Sequence, residues 1–336
     1  MGLILIWAVS QALQPAQAAD SYHIVKKIPA ASLYWDYGSL DPKLERFYVG
    51  RMGGVLALDL RTDRVVEPLL KGNLIHAVIP IPGGSLLAAA DGMADELKVF
   101  DTATNTAVTA VHVGGHPDAL AYDPKTHLVV TINKGTHDAT LVSAATWAVV
   151  GTIPLPGDPE FAVSNGQGTL YVNISDKSRI AAINLADQKV ERSMKLRACH
   201  DPSGIAFDAA NNLIISVCST VAKFIAADGL KEVASIPVGK GADAVIWDPT
   251  RRRALIPAGD DGVLDIIAIR SPTDIAFLSK VATEVGARSG AVDPGSGFVY
   301  LASGKTIHEG QGGGAGWHPP SVVKGSFHIL VLAPGT

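Results

Sequence analysis

Polar and ionisable side chains recur in this sequence at a nearly constant spacing, and they are of the types that bind metal ions or transfer protons. Successive members of the set are separated by 40 to 45 residues. The set comprises Asp36, His76, Asp118, Glu160, Ser203, Asp243 and Arg288. If this spacing reflects a structural repeat, the side chains meet around one axis although they are far apart in the chain.

Three interpretations of this set are open. Carboxylates and a histidine that converge could bind a divalent cation, with Asp118, Glu160, His76 and Asp243 as candidate metal ligands. Crowded carboxylates raise one another's pKa, so that one of them could act as a general base beside Arg288. Alternatively, the side chains bond to nearby backbone and hold the repeats together, as aspartates at tight turns commonly do. The change of residue type from unit to unit weakens this structural interpretation.

Other residues are expected close to the same place. His116 and His200 each lie two or three residues before one of the repeated positions. Arg51 is expected at the end of the strand that comes after the first repeated position. We therefore add these three residues to the candidate ligand-binding residues, at the place where the repeated side chains would converge around the axis, the channel mouth.

The cysteines Cys199 and Cys218 are candidates for a disulfide if the protein is exported to an oxidising compartment. Two buried free thiols are the alternative, and the spacing resembles neither a zinc site nor a haem-attachment site. The sequence has no Gly-x-Ser-x-Gly, His-Glu-x-x-His or Cys-x-x-Cys-His motif. It therefore gives no support for serine hydrolysis, zincin chemistry or c-type electron transfer.

The elements that must position these residues repeat with the same period. Asp-Pro steps occur at residues 41, 123, 248 and 293, and related turn sequences stand at residues 81, 165 and 208. Each unit contains short apolar strands separated by turn residues, a pattern typical of four-stranded antiparallel sheets. Seven units of about forty residues predict an all-β, seven-bladed β-propeller.

The two ends of the chain predict how the ring closes. The last unit ends after its third strand, at residues 327–332, and residues 22–29 look like an isolated fourth strand. We expect this N-terminal strand to join the last blade, because closure removes the exposed sheet edges.

The repeat motif also resembles a known family. Residues 115–124, Gly-His-Pro-Asp-Ala-Leu-Ala-Tyr-Asp-Pro, and the strand Leu170-Tyr171-Val172-Asn173 resemble the YVTN-repeat (YncE-like) propellers. The resemblance covers nearly all of the chain after residue 19, and it implies the seven-bladed fold. Its motifs describe strands and turns, so it assigns no chemistry.

Composition limits the possible classes of function. The chain has 336 residues, a formal net charge of −4, 47% apolar and 18% charged residues. We expect a well-packed monomer with no sequence-independent attraction to nucleic acid. Residues 1–19 contain an apolar run followed by Ala16-Gln17-Ala18. This pattern predicts a signal peptide at 1–19, one propeller domain at 20–336 without a membrane span, and a periplasmic or secreted protein.

The last unit carries an insertion at residues 304–320 with Trp317, His308 and His318 among many glycines. It could close over the mouth as a lid or be an ordinary surface loop.

These observations predict an exported propeller that binds a small ligand, a metal ion or a partner protein at its channel mouth. The partner would be a small molecule or a periplasmic protein, and the cofactor, if there is one, a divalent metal ion. The alternative is a metal-assisted lactonase, hydrolase or lyase that uses the ring of acidic residues and histidine. Nucleic-acid binding is disfavoured by the acidic net charge.

Overall fold

The structure, a computed structural model, describes residues 21–307 and 319–335. Within them the chain forms 28 strands and one turn of 3-10 helix, Ser175–Lys177. None of the helical segments in these two ranges has the length and apolar character that a membrane crossing requires. The signal peptide predicted at 1–19 and residues 308–318 of the predicted lid lie outside the described residues, so both stay predictions.

The strands are numbered in chain order. The first ten are β1 (Tyr22–Pro29), β2 (Trp35–Asp41), β3 (Arg46–Asp59), β4 (Val65–Pro80), β5 (Leu86–Asp91), β6 (Glu96–Asp101), β7 (Thr106–His112), β8 (Pro117–Asp123), β9 (Leu128–Asn133) and β10 (Asp138–Ser143). The next nine are β11 (Val149–Pro154), β12 (Pro159–Ser164), β13 (Thr169–Ile174), β14 (Arg179–Asn184), β15 (Lys189–Lys195), β16 (Ile205–Asp208), β17 (Leu213–Cys218), β18 (Val221–Ala226) and β19 (Lys231–Pro237). The last nine are β20 (Ile246–Asp248), β21 (Arg253–Ala258), β22 (Val263–Ser271), β23 (Asp274–Ala282), β24 (Ser289–Val292), β25 (Val299–Ser303), β26 (Thr306–Ile307), β27 (Ser321–Val322) and β28 (His328–Pro334).

Most of the strands form four-stranded antiparallel sheets. Four such sheets consist of consecutive strands, namely β8–β11, β12–β15, β16–β19 and β20–β23. A fifth has the order β1, β28, β25, β24, and β26 pairs with β27 as a short separate ribbon. The innermost strands contact one another around the axis in the order β2, β4, β8, β12, β16, β20, β24 and back to β2. The chain is therefore an all-β propeller built from four-stranded antiparallel blades.

The predicted number of separate blades is wrong, because the structure has six large sheets rather than seven. Strands β2 to β7 belong to one six-stranded sheet. Its middle strand β4 has 16 residues. The part of β4 from Val65 to Leu74 pairs with β3, and the part from Ile75 to Pro80 pairs with β5. Strand β4 thus pairs with both of its neighbours along successive parts of its length and belongs to a single sheet.

The ring closes as predicted, through the N-terminal strand. Strand β1 pairs with β28 in an antiparallel register that runs from Tyr22 opposite Pro334 to Pro29 opposite His328. Tyr22 and Ile28 are buried, whereas Val25 between them is 46% exposed. The same sheet thus contains both ends of the described chain.

The hydrophobic core lies between neighbouring sheets rather than in one central mass. One apolar cluster joins the sheet β8–β11 to the sheet β12–β15, with Val130, Leu141 and Val172 among its fully buried members. Another joins β16–β19 to β20–β23, and includes Phe224 and Ile256. Each sheet therefore depends on its neighbours for the burial of its faces.

The recurring aspartates have the turn role that the sequence predicts. The Oδ1 atom of Asp41 accepts hydrogen bonds from the backbone N–H groups of Lys43 and Leu44. Asp248 accepts in the same way from Thr250 and Arg251. These bonds close the turns after β2 and β20.

Candidate functional site

Six of the predicted side chains meet at one end of the propeller axis, which we call the mouth. They come from six different units: Asp36 on β2, His76 on β4, Asp118 on β8, Glu160 on β12, Asp243 before β20 and Arg288 before β24. Ion-pair contacts link five of them, from Asp118 through His76, Asp36 and Arg288 to Asp243. The axial position follows from the repeat, since each residue stands where its unit begins an inner strand.

The buried imidazole of His76 lies between two carboxylates. Its Nδ1 atom is 2.7 Å from Oδ2 of Asp36 and 3.2 Å from Oδ1 of Asp118. Burial acts to lower the pKa of His76, but Asp118 and Asp36 outweigh it and raise this pKa above its ordinary value. The imidazolium form is thus favoured by the two neighbouring negative charges.

Glu160 forms an ion pair with Lys134, a residue that the sequence analysis did not select. Burial and the charge of Asp118 raise the pKa of Glu160 to about 8, although Lys134 opposes the shift. Lys134 directly follows Asn133, the last residue of β9, and its position next to a strand end was the only signal that could have identified it.

Asp243 and Arg288 form the third pair. Nε of Arg288 is 3.3 Å from Oδ2 of Asp243, and its Nη2 donates to the hydroxyl of Tyr34 at 3.1 Å and to the carbonyl of Trp35 at 3.2 Å. Burial raises the pKa of Asp243 to about 6 against the opposing effect of Arg288, and the charge of Asp36 adds to the increase.

Two aromatic rings close the axis beside the mouth. The ring centroids of Tyr37 and Phe161 are 3.9 Å apart, at an interplanar angle of 55°. Together with Gly204, Val245 and Gly290, which lie in or directly before inner strands, they line a cavity of about 40 Å³. This space has room only for water-sized molecules, so a larger ligand must bind at the mouth itself.

A compact group of metal-ligating atoms lies within the mouth. His76, His116 and Asp118 each offer one ligand atom, and these atoms lie within 4.8 Å of one another. The rings of His76 and His116 meet edge to face with centroids 4.9 Å apart. His116 immediately precedes β8, and burial together with His76 lowers its pKa.

The remaining predicted residues differ in their surroundings. Arg51 is fully buried, where Nη1 is 3.0 Å from Oε1 of Glu67 and the guanidinium lies 3.7 Å above the ring of Phe327. It also donates to the carbonyls of Leu33 and Tyr34, so it fixes the segment before β2 rather than lining the mouth. His200 is exposed on a loop.

The two cysteines and Ser203 support the same side of the propeller. Cys199 and Cys218 are joined by a disulfide with Cα atoms 5.5 Å apart. The hydroxyl of Ser203 donates to the backbone carbonyl of Asp243 at 2.8 Å, which links two neighbouring sheets. Ser203 is thus a member of the repeated set whose side chain makes a structural contact between two sheets.

The solved structures that are similar to the chain include the following two. A chain in a crystal structure of the mitotic checkpoint complex matches with a TM-score of 0.75 and 13% identity, over 90% of this chain and 95% of that chain. A chain of hydrazine synthase from Kuenenia stuttgartiensis matches with a TM-score of 0.71 and 15% identity, over 84% of this chain and 94% of that chain. No family profile matches the sequence, and no curated protein matches it either.

At such low identity the two likenesses show the fold alone, and that fold is the β-propeller. Fold and site together define the class of protein: a β-propeller with a polar mouth at one end of a closed axis. The fold is consistent with a binding role.

Proposed function

We propose that this protein is a binding propeller whose ligand site is the mouth, and that the ligand brings positive charge to it. The observation that carries the proposal is the convergence of Asp36, Asp118, Glu160 and Asp243 at one end of an axis that Tyr37 and Phe161 close. Concave sites with a few convergent polar groups are the usual places for small ligands.

The charge balance of the mouth supports a cationic ligand. The four carboxylates outnumber the permanently charged Lys134 and Arg288. His76 can supply a third cation, whereas burial and His76 lower the pKa of His116 and disfavour a fourth. The raised pKa values of Glu160 and Asp243 are the expected result of burying carboxylates close together. A bound cation would relieve this repulsion and would stabilise the folded protein by mass action.

We also propose that the chain consists of seven repeat units of the YVTN type. The six-stranded sheet would then be two units merged through β4, each with its own inner strand, β2 in the first and the second half of β4 in the next. This arrangement would explain why Asp36 and His76 are neighbours at the mouth although one sheet contains both.

Export to the periplasm or the medium is part of the proposal. It is supported by the apolar run near the start of the sequence and by the disulfide, since structural disulfides persist in oxidising compartments. A periplasmic protein partner and the hydrolase or lyase alternative stay predictions.

Thermal unfolding of the protein with added cations tests the cationic site. The probes are the chloride salts of magnesium, manganese, choline and spermidine, compared with sodium chloride at equal ionic strength. At least one probe should raise the unfolding temperature by several degrees, because a ligand at about a hundred times its Kd contributes about 2.7 kcal/mol. The double variant Glu160→Gln/Asp243→Asn should lose most of this increase.

A matched control replaces two carboxylates that lie away from the mouth. Asp187 lies in an exposed turn and Asp274 is the exposed first residue of β23, with side-chain exposures of 53% and 54%. The variant Asp187→Asn/Asp274→Asn should keep the full increase in unfolding temperature. The proposal is wrong if no probe stabilises the protein, or if the two double variants respond alike.

A further inference from the structure

We infer that His76, His116 and Asp118 bind one divalent transition-metal ion. The inference rests on the proposed function, since the ion would supply the positive charge that the mouth receives. It differs from the metal site predicted from the sequence, which combined His76 and Asp118 with Glu160 and Asp243. Those two carboxylates are instead paired with Lys134 and Arg288, and the compact donor group includes His116.

The donor set selects the class of metal. Two imidazole nitrogens and one carboxylate oxygen suit Zn²⁺ and other late first-row ions, whereas Ca²⁺ and Mg²⁺ prefer oxygen donors alone. Three protein ligands also leave at least one coordination position for water or another ligand, as in zinc sites that do chemistry rather than stabilise a fold. The ion would therefore be able to bind a further small molecule at the mouth.

Asp36 is placed to orient one of the ligands. Its Oδ2 atom lies 2.7 Å from Nδ1 of His76, a hydrogen bond that keeps one proton on Nδ1. Nε2 is then the nitrogen that would bind the ion, after releasing its own proton. A histidine that binds a metal ion through one ring nitrogen usually donates a hydrogen bond from its other ring nitrogen, often to a carboxylate. The backbone carbonyl of Asp36 accepts from the hydroxyl of Ser289 at 2.5 Å, which helps to fix this carboxylate. Asp36 is thus a positioning residue.

The backbone holds the two imidazoles together. His116 has a positive φ of 52°, a conformation that few residues other than glycine adopt, and its N–H donates to Oδ1 of Asp95 at 2.7 Å. Gly92 lies against both rings. A Cβ atom at this position would be 2.6 Å from Cδ2 and 2.8 Å from Nε2 of His76, and 3.4 Å from Cε1 of His116. Only glycine leaves room for this pair of rings.

Metal titration of the full chain tests the site. Protein made without a histidine tag is stripped with chelator, desalted and titrated with ZnCl₂ by calorimetry, and with CoCl₂ by visible absorption. We expect one ion per chain. His116→Ala and Asp118→Asn should each weaken binding at least tenfold, and Gly92→Ala should weaken it by displacing the rings while keeping all three ligands. Far-ultraviolet circular dichroism verifies that each variant is folded.

The matched control is His137→Ala. His137 is half-exposed and also pairs with a carboxylate, because its Nε2 lies 2.9 Å from Oδ1 of Asp158. This variant should bind both ions as the unaltered protein does. In Asp36→Asn one ion should still bind, but more weakly and with an altered cobalt spectrum, because His76 loses its orienting partner.

Two results would overturn the inference: no stoichiometric zinc or cobalt binding by the stripped protein, or binding that His116→Ala leaves unchanged. Neither result affects the proposed function if choline or spermidine still stabilises the protein and the Glu160→Gln/Asp243→Asn variant still abolishes that effect. Conversely, zinc could bind in a way that requires His116 while choline and spermidine leave the unfolding temperature unchanged. That result would show that the mouth accepts metal ions but not organic cations.

Discussion

At the scale of single residues, the mouth is a set of opposite charges that are close but not evenly matched. His76 contacts Asp36 and Asp118, Glu160 contacts Lys134, and Asp243 contacts Arg288. Each carboxylate has a cationic neighbour, yet burial still raises the pKa of two of them. The stability of the protein should therefore depend on pH through these groups.

Asp243 gives this dependence a definite sign. Its pKa is about 6 in the folded protein, compared with an ordinary value of 3.8, so between these two values the folded state holds a proton that the unfolded state has released. Its contribution to stability is present below pH 4 and is lost as the pH rises to 6. Asp243→Asn should therefore gain stability relative to the unaltered protein from pH 4 to 6, by a few degrees in unfolding temperature, and the difference should then stay constant to pH 7.

Urea unfolding at half-unit pH steps measures the effect, and Asp91→Asn is a control of opposite sign. Asp91 accepts hydrogen bonds from the backbone of Asn73 and Leu74 and pairs with Lys98; these contacts outweigh burial and lower its pKa. Its stabilising contribution is therefore present above pH 4 and is lost only at more acidic pH. A difference between Asp243→Asn and the unaltered protein that does not change between pH 4 and 6 would contradict the assigned sign.

Much of the mouth could be predicted from the sequence, because a repeat of fixed length puts equivalent residues at equivalent heights along the axis. Counting from the Asp-Pro turns placed Asp36, His76, Asp118, Glu160, Asp243 and Arg288 together. The same counting failed for Arg51, because β3 continues through this position to Asp59 and the long side chain is buried against Glu67 and Phe327. It also missed Lys134, which directly follows Asn133 at the end of β9.

At the scale of the elements, the disulfide ties a loop to the end of a strand in the same unit. Cys199 lies before β16 and Cys218 ends β17, and both side chains are buried. The bond closes a loop of 19 residues around Ser203, whose hydroxyl bonds to the carbonyl of Asp243 in the next unit. It therefore restrains one support of the mouth without contacting the proposed ligands.

Removal of this disulfide should lower stability but leave binding intact. The double variant Cys199→Ala/Cys218→Ala should lose about 2–4 kcal/mol in the free energy of unfolding, mainly because its unfolded chain is less restricted. Urea unfolding with and without reductant tests this. Reductant should destabilise the unaltered protein by a similar amount and should have no effect on the double variant. Two reactive thiols in the unreduced, unaltered protein would refute the expectation.

Strand β4 shows where a local pattern could not predict the boundaries of the elements. The repeat predicts two strands with a turn between them, and the chain instead stays extended from Val65 to Pro80. The glycine and asparagine at residues 72 and 73 suggest a turn, but the backbone N–H groups of Asn73 and Leu74 donate to Asp91. This tertiary contact satisfies the backbone groups that a turn would otherwise have to satisfy.

At the scale of the whole molecule, the ring depends on one strand that comes from the opposite end of the chain. Strand β1 contributes Ile28, which is 6% exposed and packs in the apolar cluster that also contains Trp35 and Phe327. Loss of packing there should be transmitted to the whole ring, because the sheets bury their faces against one another.

Ile28→Ala should therefore lower the free energy of unfolding by about 2–5 kcal/mol, the range usual for truncation of a buried isoleucine. Val25→Ala is the matched control in the same strand, and at 46% exposure it should cost much less. Urea unfolding followed by both tryptophan fluorescence and circular dichroism should give coincident transitions for both variants. Equal stability of the two variants would show that β1 does not hold the ring closed.

The contact between Tyr37 and Phe161 has a kinetic consequence. Because these rings, on the inner strands β2 and β12, contact each other across the axis, we expect a ligand among the charged residues to enter and leave at the mouth. A large protein that sat on this face would cover the exit and trap the occupant, so the dissociation rate of the small ligand would fall while its partner was attached.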